Sequence, residues 1–221
     1  MHLPAGNYIL EMNFETAVNY ELNLSRIADK AKLNYSKLDL TKGFTKQLKA
    51  EGGVITSCSS SKPSVATVNN SGKVSAKSIG KTTIKAKLSN GQSLSCIVSV
   101  KPNKYQAKKI TVKDVVYNTS EMKAYAASFD KKGNLVLKFK LVNNSYGKVT
   151  NVSKFKVTVT DSSKKKVVSY SKSNYAAVVE SYSDKACTVT IPKSALKKDY
   201  KKIDLRTAKY SITGKFASSS L

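Results

Sequence analysis

The sequence predicts an all-β chain, two β-sandwiches in tandem behind a short N-terminal hairpin. Three observations carry that expectation. Apolar and polar residues alternate with period two over many short runs. Gly, Asn, Asp and Pro interrupt those runs at close intervals. The polar remainder is dominated by Ser, Thr, Asn and Lys rather than by helix formers. At 221 residues, with 40% hydrophobic and 24% charged side chains, the chain is long enough for two sandwiches of about 70 to 115 residues, each with its own core.

The first element is the hairpin. Residues 7–12 and 20–25 read as strands around a polar turn, with Tyr8, Leu10 and Met12 alternating against Asn7, Ile9 and Glu11. Two strands are marginal alone in water, so residues 1–32 are read as the tail of a sandwich whose remainder lies upstream. The runs LPAGNY over 3–8 and YELNL over 20–24 resemble the last hairpin of bacterial pre-peptidase C-terminal-type β-sandwiches. LPAGN also looks like the LPxTG signal used by sortases, but the apolar stretch and basic tail that follow such a signal are missing here. The opening residues lack the basic and long apolar regions of a secretory leader, so an export signal is expected upstream, in a longer polypeptide.

Residues 33–102 form the second domain of this reading. Leu38 and Leu40 alternate, Gly43 turns, Leu48 follows, and Gly52 with Gly53 opens a strand over 54–58. Pro63 interrupts before 65–68, and the turn over 69–72 leads into 74–76. Ile84, Ala86 and Leu88 then face one way against Thr83, Lys85 and Lys87. Asn90-Gly91 is the strongest hairpin signal in the chain and leads into 94–100. The runs SSSKPSVATVNNSGKVSA over 59–76, GKTTIKA over 80–86 and CIVSV over 96–100 resemble the bacterial immunoglobulin-like domain of group 2, across residues 34–102. That resemblance implies an immunoglobulin-like sandwich. It also implies a home in bacterial or phage surface proteins, among them adhesins such as intimin and invasin. One departure stands out: Cys58 occupies the position where the family carries a buried Trp.

Residues 103–108 read as a linker after Pro102, and residues 109–221 as a second immunoglobulin-like sandwich. Leu135, Leu137, Phe139 and Leu141 alternate against Val136, Lys138, Lys140 and Val142. Phe155, Val157 and Val159 repeat the pattern, as do Cys187, Val189 and Ile191, and residues 210–216 add a strand. Turns fall at 130–134, 143–147 and 161–164. A short helical turn is expected near 194–198, and 174–186 carries no clear pattern. The runs LKFKLVNN over 137–144 and VTVTD over 157–161, with Val167 and Val168, resemble FxLYD-type and related extracellular immunoglobulin-like modules.

Charge narrows the function classes. Net charge is +25, distributed as −1 over residues 1–32, +9 over 33–102 and +17 over 103–221. Lysine supplies nearly all of it, since the only arginines are Arg26 and Arg206. Base-edge readout and bidentate phosphate clamping favour the arginine fork, so no specific nucleic acid is expected as a partner. Diffuse attraction to polyanions remains open, whether cell-wall polymers or anionic headgroups. So does the plainer role of solvating sheet faces and edges. No run of about 18 apolar residues exists to span a membrane.

Catalytic constellations are sparse. The single histidine is His2, which excludes an intact Ser-His-Asp or Cys-His arrangement in this chain. Asp199 with Asp204, or Asp161 with Asp184, could form a carboxylate pair, yet each sits in a Lys-rich or polar stretch. The turn over 130–134 alone is thin for calcium, so no enzyme activity, cofactor or metal is expected. Three cysteines lack zinc spacing. Cys58 and Cys96 share inward parity, and either a disulfide or two free buried thiols fits them; Cys187 is left over. Twelve tyrosines and no tryptophan make Tyr170, Tyr175 and Tyr182, clustered with Ser and Lys, the place for a ligand surface, with packing at sandwich edges as the alternative.

The expected role is therefore a non-enzymatic structural or adhesion module of a bacterial secreted or cell-surface protein, of Gram-positive type, that spaces or presents a functional head. Cell-wall polyanions, carbohydrate or a host surface protein would be its partners. The alternative is the accessory C-terminal region of an extracellular peptidase or glycosidase, binding carbohydrate or wall polyanions.

Overall fold

The structure is a computed structural model that describes residues 8–14, 20–26, 30–107, 110–116 and 118–219. His2 and the LPA of the N-terminal motif lie outside them. The strands in chain order are β1 Tyr8–Phe14, β2 Tyr20–Arg26, β3 Lys32–Leu33, β4 Lys37–Thr41, β5 Thr45–Gln47, β6 Ala50–Glu51, β7 Ile55–Ser60, β8 Ala66–Val68 and β9 Lys73–Ala76. They continue with β10 Gly80–Leu88, β11 Ser93–Lys101, β12 Tyr105–Gln106, β13 Thr119–Phe129, β14 Leu135–Asn144, β15 Lys148–Thr160, β16 Lys166–Tyr175, β17 Ser183–Ile191 and β18 Lys209–Ser219. Among the described residues there is no α-helix, only 3₁₀ turns at Val112–Asp114, Lys193–Ala195 and Tyr200–Lys202. The chain is all-β, as the alternation predicts.

Strands β1 and β2 pair antiparallel from Tyr8 opposite Arg26 to Phe14 opposite Tyr20. The chain divides into two compact units, the first Met1–Leu40 with Thr45–Val100, the second Thr41–Phe44 with Lys101–Leu221.

In the first unit a four-stranded sheet, ordered β4-β11-β10-β7, and a three-stranded sheet, β5-β9-β8, form the sandwich, with a small β3-β6 pair beside them. Burial follows the predicted alternation. Thr82, Ile84, Ala86 and Leu88 of β10 are buried, as are Cys96, Val98 and Val100 of β11. The core is aliphatic, completed by Leu38, Leu40, Leu48, Ala66, Val74 and Ala76. The turn at 69–72 closes through Asn69 Oδ1, which accepts from Lys73 N at 2.8 Å and Ser71 Oγ at 2.9 Å. Gly72 sits there at φ +85, where an added Cβ would lie 2.7 Å from the Leu48 carbonyl oxygen, so only glycine fits.

In the second unit the sheets are β12-β13-β14-β17 and β16-β15-β18. Their inner faces bury Leu135, Leu137, Phe139 and Leu141 against Phe155, Val157 and Val159, with Cys187, Val189 and Ile191 behind. Aromatic rings set this core apart: Phe139 and Phe155 lie 5.7 Å apart, and Tyr175 stacks on Phe155 at 4.8 Å. Residues 103–106, read as linker, carry pairing into this unit. Tyr105 lies opposite Ala127 of β13. Asn103 donates from Nδ2 to Ile203 O at 2.8 Å and accepts at Oδ1 from Leu205 N at 2.8 Å. The helical turn expected near 194–198 is a 3₁₀ turn at Lys193–Ala195 that ends where Leu196 becomes extended, at φ −81 and ψ 137. The patternless stretch 174–186 splits into the end of β16, a loop and the start of β17.

Candidate functional site

The second unit has two ends. The proximal end, next to Asn103, holds the turns 130–134 and 161–165 and the segment 192–208. The distal end gathers the start of β13, the end of β14, the starts of β15 and β17, and the ends of β16 and β18. Register shows this: Thr119 is opposite Asn144, Asn143 opposite Ser183, Lys148 opposite Ser219 and Val152 opposite Tyr175. Three connections meet at the distal end: the one that carries residues 112–116, and those over 145–147 and 176–182.

One buried side chain ties two of those connections together. Asn143 is fully buried, and its Nδ2 donates to Gly147 O at 2.7 Å, Glu180 O at 3.0 Å and Val179 O at 3.3 Å. Its Oδ1 accepts from Ser145 Oγ at 2.5 Å and Ser120 Oγ at 3.0 Å. Val149 and Val179 exchange both backbone bonds at 2.9 Å, and Tyr182 N donates to Ser145 O at 3.3 Å. Neighbouring Asn144 reaches the third connection, donating from Nδ2 to Val115 O at 3.0 Å. With carbonyls satisfied from inside, the loop side chains are left to face solvent.

Those side chains are apolar. Val116, Tyr146, Val178 and Tyr182 are 69%, 59%, 45% and 39% exposed, and they are all the large exposed hydrophobics among the described residues of this unit. Tyr146 and Tyr182 meet edge to face, centroids 5.2 Å apart at 89°. Tyr182 holds φ +50 and Asn118 φ +58, both in the left-handed region. Lys148 pairs with Glu180 at 2.7 Å beside them. Chemically the end offers a preorganised aromatic and aliphatic surface with a polar rim, suited to binding.

The structure separates the three tyrosines picked out from the sequence. Tyr175 belongs to the core: its ring covers Phe155 and Phe139 while its hydroxyl donates to Thr188 O at 3.1 Å. Burial, with Cys187 alongside, pushes its phenol up to about 12. Tyr170 also packs against the core. Tyr182 alone is on the surface, and its partner is Tyr146, which lies in a turn 36 residues away in sequence and carried no signal of its own.

The disulfide reading of Cys58 and Cys96 is corrected. Both thiols are free, although their common inward parity is as expected. Cys58 lies opposite Ala86 and Cys96 opposite Ile84, on strands that flank β10 from either side. Two strand spacings, roughly 9.6 Å, exceed the span of about 7 Å that a disulfide allows. Cys96 is buried and Cys58 half-buried on the edge strand β7; burial raises the pKa of both. Cys187 is a third free, buried thiol, likewise raised chiefly by burial.

Each carboxylate weighed as a member of a pair is engaged by partners of its own. Asp161 closes a proximal turn and pairs with Lys198 at 3.0 Å, whereas Asp184 lies opposite Val142 towards the distal end and pairs with Lys140. Asp199 accepts from Lys201 N and Asp204 from Arg206 N, both at 3.0 Å. Asp130 spends its oxygens on its own turn, accepting from Lys132 N, Asn134 N and Asn134 Nδ2. Among the described residues no group of three His, Cys, Asp or Glu side chains is placed to hold a metal ion. No helix among them is long and apolar enough to cross a membrane.

Over residues 42–90 the chain matches the family model of the intimin immunoglobulin-like domain. That match begins inside the segment whose motifs resemble group 2 and supports a non-enzymatic adhesion or binding module. No curated protein is similar to the chain. Among solved structures it is similar to the extracellular cadherin domains 1–4 of protocadherin gamma B7, at 12% identity and TM-score 0.28, covering 86% of this chain and 65% of that one. A second is SGBP-B of the Bacteroides ovatus mixed-linkage glucan utilization locus, in complex with a mixed-linkage heptasaccharide (10% identity, TM-score 0.25, 97% and 57% covered). A third is CBM51-2 in complex with GlcNAc and INT domains from Clostridium perfringens ZmpB (11%, 0.21, 85% and 48%). The chain spans less than two thirds of each of these structures.

Proposed function

We propose that the chain is a spacer and adhesion module of a bacterial secreted or surface-anchored protein, with its ligand contacts on the distal loops of the second unit. The observation that carries this is the distal end itself: four exposed apolar side chains on three connections, held from below by a buried asparagine. A solvated loop tip with no partner does not need that bracing, whereas a binding surface gains from being ordered in advance. The intimin match and the group 2 motif support a spacer role for the first unit, outside the cell. Carbohydrate or a host surface protein are the partners that aromatic loop tips suit.

The reading is tested with microspheres coated with the full chain on epithelial monolayers, with and without prior glycosidase treatment. Wild-type chain should retain them, and the Tyr146→Ser/Tyr182→Ser pair should lower retention about tenfold, as loss of paired aromatic anchors does. Equal retention by the variant, or none by the wild type, overturns it. A second reading, the accessory region of an extracellular hydrolase, is favoured by the β1–β2 hairpin, which forms where the pre-peptidase C-terminal-type motif lies. A peptidase or glycosidase domain in the upstream reading frame would decide for it.

A further inference from the structure

Strands β15, β16 and β18 contain seven lysines and no carboxylate. Register places four of those lysines on the solvent face of their sheet. Val157 and Val159 of β15 and Ile212 of β18 point inward, so Lys156, Thr158 and Thr160 and, on β18, Lys209, Ser211, Thr213 and Lys215 point outward, with a bulge between Ser153 and Lys156 that brings Ser153 to the same face. Lys156 lies opposite Thr213, Ser153 opposite Lys215, and Thr160 opposite both Lys166 and Lys209. Between the lysines the face is hydroxylic: Thr158 is flanked by Ser169 and Ser211.

The other sheet of the same unit is built differently. There Lys140 pairs with Asp184 and Lys123 with Glu121, so two of its four strand lysines are compensated within the fold. The ion pairs Lys148–Glu180 and Lys198–Asp161 also lie off the β16-β15-β18 face, at the two ends of the unit. Uncompensated cations along a sheet repel one another and weaken the fold, and a counter-charge from outside removes that cost.

We propose that the outer face of the β16-β15-β18 sheet binds a linear polyol-phosphate polymer, lysines meeting the phosphates and Ser and Thr hydroxyls meeting the polyol. The spacing suits an extended chain: Lys209 and Lys215 are about 20 Å apart along β18 at the usual rise per residue. The same face lacks what other polyanions need. It exposes no large hydrophobic residue for insertion among lipid headgroups, since the exposed ones of this unit are all on the distal loops. It holds no arginine, and Tyr170, Tyr210 and Phe216 of these strands pack against the core, which leaves nothing to stack on nucleobases.

The test uses the full chain and fluorescent poly(glycerol phosphate), with anisotropy at about 50 mM and about 500 mM NaCl to switch screening. Binding should be present at the lower salt and fall steeply at the higher. Lys156→Glu/Lys209→Glu/Lys215→Glu should weaken it about tenfold or more, and the Gln triple less, in proportion to charge removed. Lys131→Glu/Lys132→Glu/Lys201→Glu, an equal charge change on exposed proximal positions, should leave it within about threefold. Equal losses in the two Glu triples, no binding at low salt, or equally tight binding of phosphatidylglycerol vesicles or single-stranded DNA would each overturn the proposal. Thermal unfolding of every variant shows that the fold persists. None of these substitutions touches Tyr146 or Tyr182, so this test and the adhesion test fail separately.

Discussion

The two ends of the second unit satisfy their turn backbones in opposite ways. At the proximal end each turn caps itself: Asp130 accepts from Lys132 N at 2.8 Å and Asn134 N at 2.9 Å, and Asp161 accepts from Ser163 N and Lys165 N at 3.0 Å. At the distal end the turn carbonyls are reached from below by Asn143. The proximal arrangement spends the turn's own side chains on the backbone and needs polar residues there. The distal one frees the loop positions, and they are taken by Val116, Tyr146, Val178 and Tyr182. Capping from within the core is thus what lets one end of a lysine-rich sandwich become apolar.

The sharpest way to break this difference is to remove the inner cap. Asn143→Leu keeps the volume but removes the side-chain donor shared by three carbonyls, of which Val179 O keeps Val149 N and Gly147 O keeps Ser145 Oγ, and takes the amide acceptor from two serine hydroxyls. A loss of about 2–4 kcal/mol is expected for such buried polar groups, read as a drop of roughly 10 °C in Tm. Amide exchange should rise in 145–147 and 176–182 and stay unchanged in 130–134. Asn143→Asp, which keeps the acceptor and loses the donor, should be nearly as damaging. A shift under about 1 kcal/mol for both, the level of an ordinary surface change, would mean that the loops hold themselves.

A smaller effect is expected at the proximal end, where the turn depends on a glycine. Gly133 sits at φ +85, and an added Cβ would lie 2.8 Å from the Tyr200 ring. Gly133→Ala should cost about 1–3 kcal/mol, part from the left-handed backbone and part from overlap. The double variant with Tyr200→Ala separates the two. Thermal unfolding should show it less destabilised than the two single changes added, because the overlap is gone while the backbone cost stays. If the double variant is additive or worse, Tyr200 is not what the new methyl group meets.

Much of the fold was legible because local chemistry and burial agree. In the first unit, turn residues such as Asn69, Gly72, Asn90 and Gly91 punctuate strands whose alternation matches the buried positions of β10 and β11. Strand β13 gave no such signal: TSEMKAYAASF is half-buried along most of its length, and small alanines on both faces erase the alternation. Parity correctly turned Cys58 and Cys96 inward, but parity does not say which strands are neighbours, and β10 lies between them. Tyr175 stood open between ligand surface and packing, since a tyrosine in a Ser/Lys run looks solvated until its ring is seen to cover Phe155. Of the distal surface only Tyr182 was legible. Its four apolar residues are isolated in sequence, and Asn143 reads as an ordinary turn residue unless its burial is known.

Protonation gives the mildest separation of the two ends, because only one of them is capped by groups that titrate. The hydrogen bond from the Asn134 side chain, followed by those from backbone amides, holds Asp130 below the ordinary carboxyl value of 3.8. Lys198 does so first for Asp161. A carboxyl lowered on folding contributes stability that is fully present above its unfolded value and is lost as pH falls through the folded one. The proximal turns should therefore loosen below about pH 4, while the Asn143 amide has no proton to gain and the distal loops should hold. Amide proton shifts of Lys132, Asn134, Ser163 and Lys165 followed from pH 6 downward check this, with Val149 and Val179 as distal reporters. Asp130→Asn keeps an acceptor for the turn and should abolish the response of Lys132 and Asn134 alone. If Val149 and Val179 move in step with the four proximal amides, the low-pH change is global unfolding, and the difference between the ends does not extend to their response to acid.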